Sequence, residues 1–260
     1  GELKTNANGV FDVSASSTVQ HSKTPLALVL SSPCGEREFR LYLKESVLES
    51  FVLDLKLLPR EIDFFHFGSV LFAFEKGVEN TATILNMLHK KDTIRSCDIN
   101  IRPDILRSNP NAVSAIKDSL THVDVLKISD EDLDWLKKQD PSLSSPQDYF
   151  KFGIKLVAYT EGPKGATLFT PTEQYYFPAP DVQIVDTTGG GDAFMAGVLA
   201  SLAENNWNSR HMLLDLGQDE LRAIGLKATF LASRILSQIG AMPYHSFELI
   251  VQEQVVKNVL

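Results

Sequence analysis

From residue 60 onward, short apolar runs of strand type alternate with segments of helical spacing, and that alternation leaves few folds open. Strand-like runs fall at Asp63–Phe67, Ile94–Cys97, Val123–Ile128 and Lys155–Tyr159. Between them, residues 77–90 place Val78, Ala82, Leu85 and Leu88 on one helical face, and a second helix is expected over 111–120. Ser129 reads as the N-cap of a third, with Asp130, Glu131 and Asp132 in its first turn. Further helices are expected near 192–204, 219–237 and 246–257, and a hairpin pairs Ala166–Phe169 with Gln174–Phe177. Strands that alternate with helices form a parallel sheet with crossovers packed on it. The expectation is an α/β fold in one domain over 1–260, a doubly wound, mostly parallel sheet with helices on both faces. A small β lid around 24–45 precedes it, with runs Leu26–Leu30 and Glu38–Tyr42 across a turn at Ser31–Gly35. Ligands of such sheets bind beyond the C-terminal strand ends.

With 260 residues, 43% of them hydrophobic, the chain can bury a large core. Its net charge of −8 argues against nucleic acid or an anionic membrane as the main partner. Cys34 and Cys97 are far apart and read as free thiols of a cytoplasmic protein. No apolar run approaches the roughly 20 residues of a membrane helix. The six histidines show no zinc spacing.

The polar motifs fall at the strand ends. Most informative is Asp186-Thr187-Thr188-Gly189-Gly190-Gly191-Asp192, between a β-type run, Val182–Val185, and a helix rich in small residues. Glycines at a strand-to-helix junction turn backbone N–H groups toward one point, and the helix end adds its positive dipole. That makes an anion cradle. A carboxylate beside such a cradle repels the anion. On these residues alone, Asp192 either caps the helix or accepts a proton while the glycines stabilise charge on a transferring phosphoryl group. No Lys-Ser/Thr comes after the glycines, so this is no Walker A loop, and the Gly-x-Gly-x-x-Gly of a nicotinamide dehydrogenase is absent.

The stretch from Asp186 to Asp192, with Ala196-Gly197 behind it, resembles the C-terminal signature of the ribokinase-like (PfkB-type) carbohydrate kinases, with Gly190 where Ala is usual. The resemblance implies Asp192 as catalytic base and Gly189, Gly190 and Gly191 as anion hole. Asp186 and Thr188 match positions near a monovalent cation, which admits K+. Asp98-Ile99-Asn100-Ile101-Arg102-Pro103 is similar to the Asp-Pro-Asn-x-Arg segment of the fructokinase and 2-keto-3-deoxygluconate kinase branches, which places Asn100 and Arg102 at phosphate. Lys127-Ile128-Ser129-Asp130-Glu131-Asp132 resembles Lys-x-Ser/Asn-x-x-Glu, which puts Lys127 and Ser129 near the nucleotide and Asp132, in place of Glu, on Mg2+ through water. Thr160, Gly162 and Gly165 fit a Thr-x-Gly-x-x-Gly turn beside ATP. Gly240-Ala241 fits a C-terminal Gly-Ala, and counting back places Thr229 near adenine. Weaker likenesses are Gly35–Phe39 to the lid hairpin and His66–Ser69 to a strand end beside the sugar.

The resemblance spans residues 3–245 and implies an ATP- and Mg2+-dependent kinase of a ketose's primary hydroxyl, fructose first. Its alternatives are 2-keto-3-deoxygluconate or another sugar or nucleoside. Partners are then sugar and ATP, with no nucleic acid or membrane, and a homodimer through the β lid is a further expectation. The family's opening strand with its sugar-binding Asp, and the Gly-Gly-x-x-x-Asn after it, have no counterpart; residue 3 and Gly9-Val10 read as the family segments that come after those two. The expectation is that the N-terminal part of the fold, and most of the sugar site, is absent from this chain. That leaves open a non-catalytic binding protein on the same fold.

Overall fold

The computed structural model describes residues 19–31 and 37–241. The chain divides into two compact units, one of Gly1–Ile62, Gly68–Lys91 and Ile101–Leu120, the other of Asp63–Phe67, Asp92–Asn100 and Thr121–Leu260. The N-terminal stretch with Gly9-Val10, the turn at 32–35 with Gly35 and Glu36, and the helix expected over 246–257 lie outside the described residues.

The first unit opens with an antiparallel hairpin, β1 (Leu26–Ser31) against β2 (Arg37–Tyr42), in which Leu26 faces Tyr42 and Leu28 faces Arg40. Helices α1 (Val47–Ser50), α2 (Glu75–Leu88), α3 (Pro103–Leu106) and α4 (Ala112–Leu120) come next, with a 3-10 turn at Ser69–Ala73. The buried stripe of α2 is Gly77, Thr81, Ile84, Leu85 and Leu88, and Ala82, expected inside, is exposed. Gly77 marks the close approach of this face: a Cβ there would come within 2.0 Å of the Leu71 carbonyl oxygen. Side-chain amides tie the unit together. Asn80 donates to the Phe51 carbonyl and accepts from the Leu53 N–H, and Asn109 donates to the Phe72 carbonyl.

The second unit holds a six-stranded sheet in sequence order: β3 (Phe64–Gly68), β4 (Ile94–Asp98), β5 (Val125–Ser129), β6 (Leu156–Thr160), β7 (Ala166–Phe169) and β8 (Gln174–Phe177). β4, β5 and β6 pair parallel; β7 and β8 close the edge antiparallel. All of β4 and the first four residues of β5 are buried, as expected of parallel strands covered on both faces. Helix α5 (Asp130–Gln139) succeeds β5; α6 (Gly190–Glu204) and α7 (Gln218–Leu236) pack on each other and close the core. Phe194, Val198 and Leu202 of α6 and Leu221, Ile224 and Ala228 of α7 bury against Ile94, Leu156, Leu168 and Phe177 of the sheet. The helices cross where neither carries bulk: a Cβ on Gly197 would lie 2.4 Å from the Ala228 Cα.

One carboxylate fixes the N-terminal ends of the central strands. Asp124 Oδ2 accepts from the Arg95 backbone N–H and Nε at 3.0 and 3.1 Å, and Oδ1 accepts from Lys155 Nζ at 2.6 Å and Arg210 Nε at 2.9 Å. Arg95 and Asp124 are buried.

Val182–Val185 is not a strand. The run is β-branched but finds no ladder; the Val185 and Asp186 N–H groups bond instead to the Leu236 carbonyl, at the end of α7.

Candidate active site

Parallel register collects the polar motifs of the second unit at one end of the sheet. Asp98 pairs beside Lys127, and Ser129 beside Thr160. Ser129 caps α5: its Oγ accepts the Asp132 N–H at 3.1 Å, and Asp132 Oδ2 accepts the Ser129 N–H at 3.0 Å. Asp132 is buried in this box. Lys127 is also buried, with its ammonium 2.9 Å from each oxygen of Asp98. Burial raises the Asp98 carboxyl above its ordinary range; the charge and hydrogen bonds of Lys127 oppose this, and repulsion from Asp132 and Asp192 adds to it.

After Thr160 the chain turns through Gly162 to Gly165. The Glu161 N–H reaches the Gly165 carbonyl at 2.8 Å. Gly165 has φ +103, and a Cβ there would meet the Phe177 carbonyl oxygen at 2.1 Å, so only glycine fits.

The glycine loop is held from two sides. Asp186 accepts the Thr188 N–H at 2.6 Å and the Gly240 N–H at 3.0 Å. Gly189, at φ +80, is the N-cap of α6, and a Cβ there would press within 2.7 Å of the Ala241 Cβ. No side chain caps α6. A helix offers no acceptor to its first N–H groups, here those of Gly191 and Asp192. Asp192 lies exposed in that first turn.

A cleft of about 430 Å3 joins these parts. Thr160, Gly162 and Gly165 line it from the β6–β7 connection, Gly190 and Gly191 from α6, and Thr229 from α7, while Ile184, Phe194 and Leu236 give it apolar walls. An apolar slot ending at a helix N-terminus suits a ligand with a flat, weakly polar body and an anionic tail.

Other residues singled out by sequence do not line this cleft, Lys127 and Ser129 among them. Asn100 comes just after β4 at φ +39, a conformation asparagine tolerates. Arg102 belongs to the first unit, where it donates to the Ile101 carbonyl and lines a cleft of about 1020 Å3 with Lys44 and Glu49. His66 Nδ1 lies 2.9 Å from Ser96 Oγ. Its imidazole is held below the ordinary value, first by lost hydration and then by the Lys127 charge, with Asp192 opposing. Among the described residues no group of three His, Cys, Asp or Glu is placed to hold a metal. Sequence reasoning left Asp98 without a role. The available signal was an acid and a lysine at the ends of two neighbouring parallel strands.

The chain is similar to proteins named fructokinase. It is 32% identical over 169 residues to fructokinase of Rhizobium leguminosarum bv. trifolii, covering 65% of this chain and 52% of that protein. It is 32% identical over 246 residues to probable fructokinase-6, chloroplastic, of Arabidopsis thaliana, covering 92% of this chain and 62% of that protein. The chain therefore spans less than two thirds of either relative. In fold it resembles a fructokinase with bound ATP from Xylella fastidiosa, at a TM-score of 0.77 and 24% identity over 91% of this chain and 76% of that one. A fructokinase of Vibrio cholerae O395 in a fructose, ADP and calcium ion bound form gives 0.67 and 24%, over 87% and 72%. The fold is thus the ribokinase-like α/β fold. Residues 4–243 match the pattern of the pfkB family carbohydrate kinases across the motifs just placed, and the chain belongs to that family.

Proposed function

We propose that this protein transfers the γ-phosphoryl group of ATP to a primary hydroxyl of a ketose, with fructose the first acceptor. One observation carries the reading: the cleft that brings Thr160, Gly162, Gly165 and Thr229 onto Gly190 and Gly191, at the helix turn that bears Asp192. The relatives named fructokinase support the acceptor.

In this reading the nucleotide's apolar body lies along Ile184, Phe194 and Leu236, and its phosphates point at the start of α6. Asp192 accepts the proton of the sugar hydroxyl as that oxygen attacks the γ-phosphorus. The new O–P bond forms as the bond to the β-phosphate oxygen breaks; ADP leaves and the proton stays on Asp192. The N–H groups at the glycine loop stabilise charge on the transferring group. Asp132, with one oxygen on the Ser129 amide, fits a water-mediated contact to Mg2+, which keeps several waters and takes few carboxylates beside phosphate. Bound there, the ion neutralises charge on the phosphate oxygens. A K+ ion at Asp186 and Thr188 would share a carboxylate that already holds two backbone amides. Leu26, Leu28 and Tyr42 expose one apolar face of the hairpin, which suits pairing with a second copy.

ADP release with fructose, 2-keto-3-deoxygluconate, ribose and aminoimidazole riboside tests this, with Asp192→Asn as control. The reading expects the highest kcat/KM on fructose. A preference for another sugar overturns the acceptor and keeps the kinase. No sugar-dependent release above the control overturns both.

A further inference from the structure

The Lys127 ammonium sits in a place that stability does not explain. It is buried, and it lies beneath the start of α6, where the helix dipole is positive and a cation is disfavoured. Asp98 offsets the charge, yet a buried ion pair is rarely more stabilising than apolar residues of the same size. The contact is close: a Cβ at position 191 would lie 3.2 Å from Lys127 Nζ and 3.4 Å from its Cε. A side chain at 191 would press on the ammonium and require it to give by a few tenths of an ångström.

We propose that Lys127 is a positioning residue for the phosphoryl anion hole, with its ammonium anchored by Asp98 against the underside of Gly191. The inference rests on the kinase reading above. From its buried position the ammonium adds positive potential to the N–H groups of Gly191 and Asp192, which themselves face solvent. Asp98 holds it there with two hydrogen bonds, so the charge needs no reorganisation when the phosphoryl group arrives. The ionisable groups within electrostatic reach of this cluster are His66 from β3, Cys97 and Asp98 from β4, Lys127 from β5, Asp132 from α5 and Asp192 from α6. Of these, Lys127 is the one lysine. A purely structural role would be to fill the polar gap between the ends of β4 and β5, and a neutral pair would do that equally well.

The test removes both charges at nearly constant volume, with Asp98→Asn and Lys127→Met together in the whole protein. Two quantities are read: kcat and KM for ATP with fructose, and affinity for tripolyphosphate by calorimetry, which needs no turnover. The expected result is a kcat lower by on the order of tenfold or more with the KM for ATP within about threefold. Tripolyphosphate should bind more weakly by on the order of tenfold. A folded double variant with kcat and tripolyphosphate affinity within about twofold of the parent overturns the inference. So does a lower kcat with unchanged tripolyphosphate affinity, since charge at the hole acts on both. If the parent phosphorylates no sugar, the proposed function fails, and the tripolyphosphate titration alone decides the role of Lys127. Should the first double variant not fold, Asp98→Asn with Lys127→Gln keeps a neutral hydrogen bond and is read in the same way.

Discussion

Asp186 and Gly240 stand 54 residues apart in the sequence and are joined by a hydrogen bond of 3.0 Å, from the Gly240 amide to the carboxylate. The other oxygen of Asp186 takes the Thr188 amide. One side chain thus fastens the glycine loop to the turn after α7. Hydrogen bonds to a charged acceptor contribute about 1.5–3 kcal/mol when buried, and less for a half-exposed group such as this. Asp186→Ala should lower the melting temperature slightly and speed hydrogen exchange at the Thr188 and Gly240 amides. Unchanged exchange at both would show that the carboxylate does not hold the loop.

Asp192 is exposed in the first turn of α6, where it has no packing role to lose. Asp192→Asn is therefore expected to fold normally and bind ATP as the parent does. Its kcat should fall by about 10² to 10⁴, the range for loss of a positioned base. Equal turnover in variant and parent would remove this residue from the proton transfer.

Acid should act on the other end of the sheet. Burial alone would raise the Asp124 carboxyl, but the bonds from Arg95, Lys155 and Arg210 outweigh it and hold the group below its ordinary 3.8. A carboxyl lowered on folding contributes stability that is complete above its unfolded value and is lost as pH falls through the folded one. Asp124→Asn should cost about 3–5 kcal/mol at neutral pH, because it leaves a buried arginine without its counter-charge. The gap between variant and parent in urea titrations should narrow as the pH is taken from about 5 to about 2. A gap that is constant with pH would show that the ionised carboxylate is not its source.

The crossing of α6 and α7 gives a packing prediction. Gly197→Ala places a methyl group 2.4 Å from the Ala228 Cα, which is backbone and cannot swing aside. The helices must separate, at a cost of about 1–3 kcal/mol. Ala196→Ser, one residue away and exposed, should change stability by less than about 0.5 kcal/mol. Equal melting temperatures for the two variants would show that the helices do not pack this tightly.

Apart from the strand–helix alternation and the family resemblance, what composition and spacing could show here was local. The hairpin at Ala166–Phe169 and Gln174–Phe177 and the Ser129 cap depend on neighbours within a few residues, and both are where the residues imply. The run Val182–Val185 misleads because β-branched composition reports a preference, and a strand also needs a partner. In the site, Thr160, Gly162, Gly165 and Thr229 are legible as turn and helix residues, and their meeting in one cleft is a product of the fold. The pairing of Asp98 with Lys127 depends on strand register, and that of Asp186 with Gly240 on where α7 ends. Neither leaves a trace in spacing. The same holds for Gly197, whose lack of a side chain matters only because of Ala228.

The glycine loop hangs between the start of α6 and the end of α7: Gly190 abuts the Leu236 side chain, and the Leu236 carbonyl takes the N–H groups of Val185 and Asp186. This sets where the chain tolerates changes of length. One residue inserted within α7 would turn everything after it by about 100° and carry Leu236 off Gly190. The connection over 205–217 joins the opposite ends of the two helices, so added residues there leave the loop's supports where they are. Natural variation in length should therefore spare the span from 218 to 241, and within 205–217 it must leave Arg210 on Asp124 and Leu213 and Leu216 in the core.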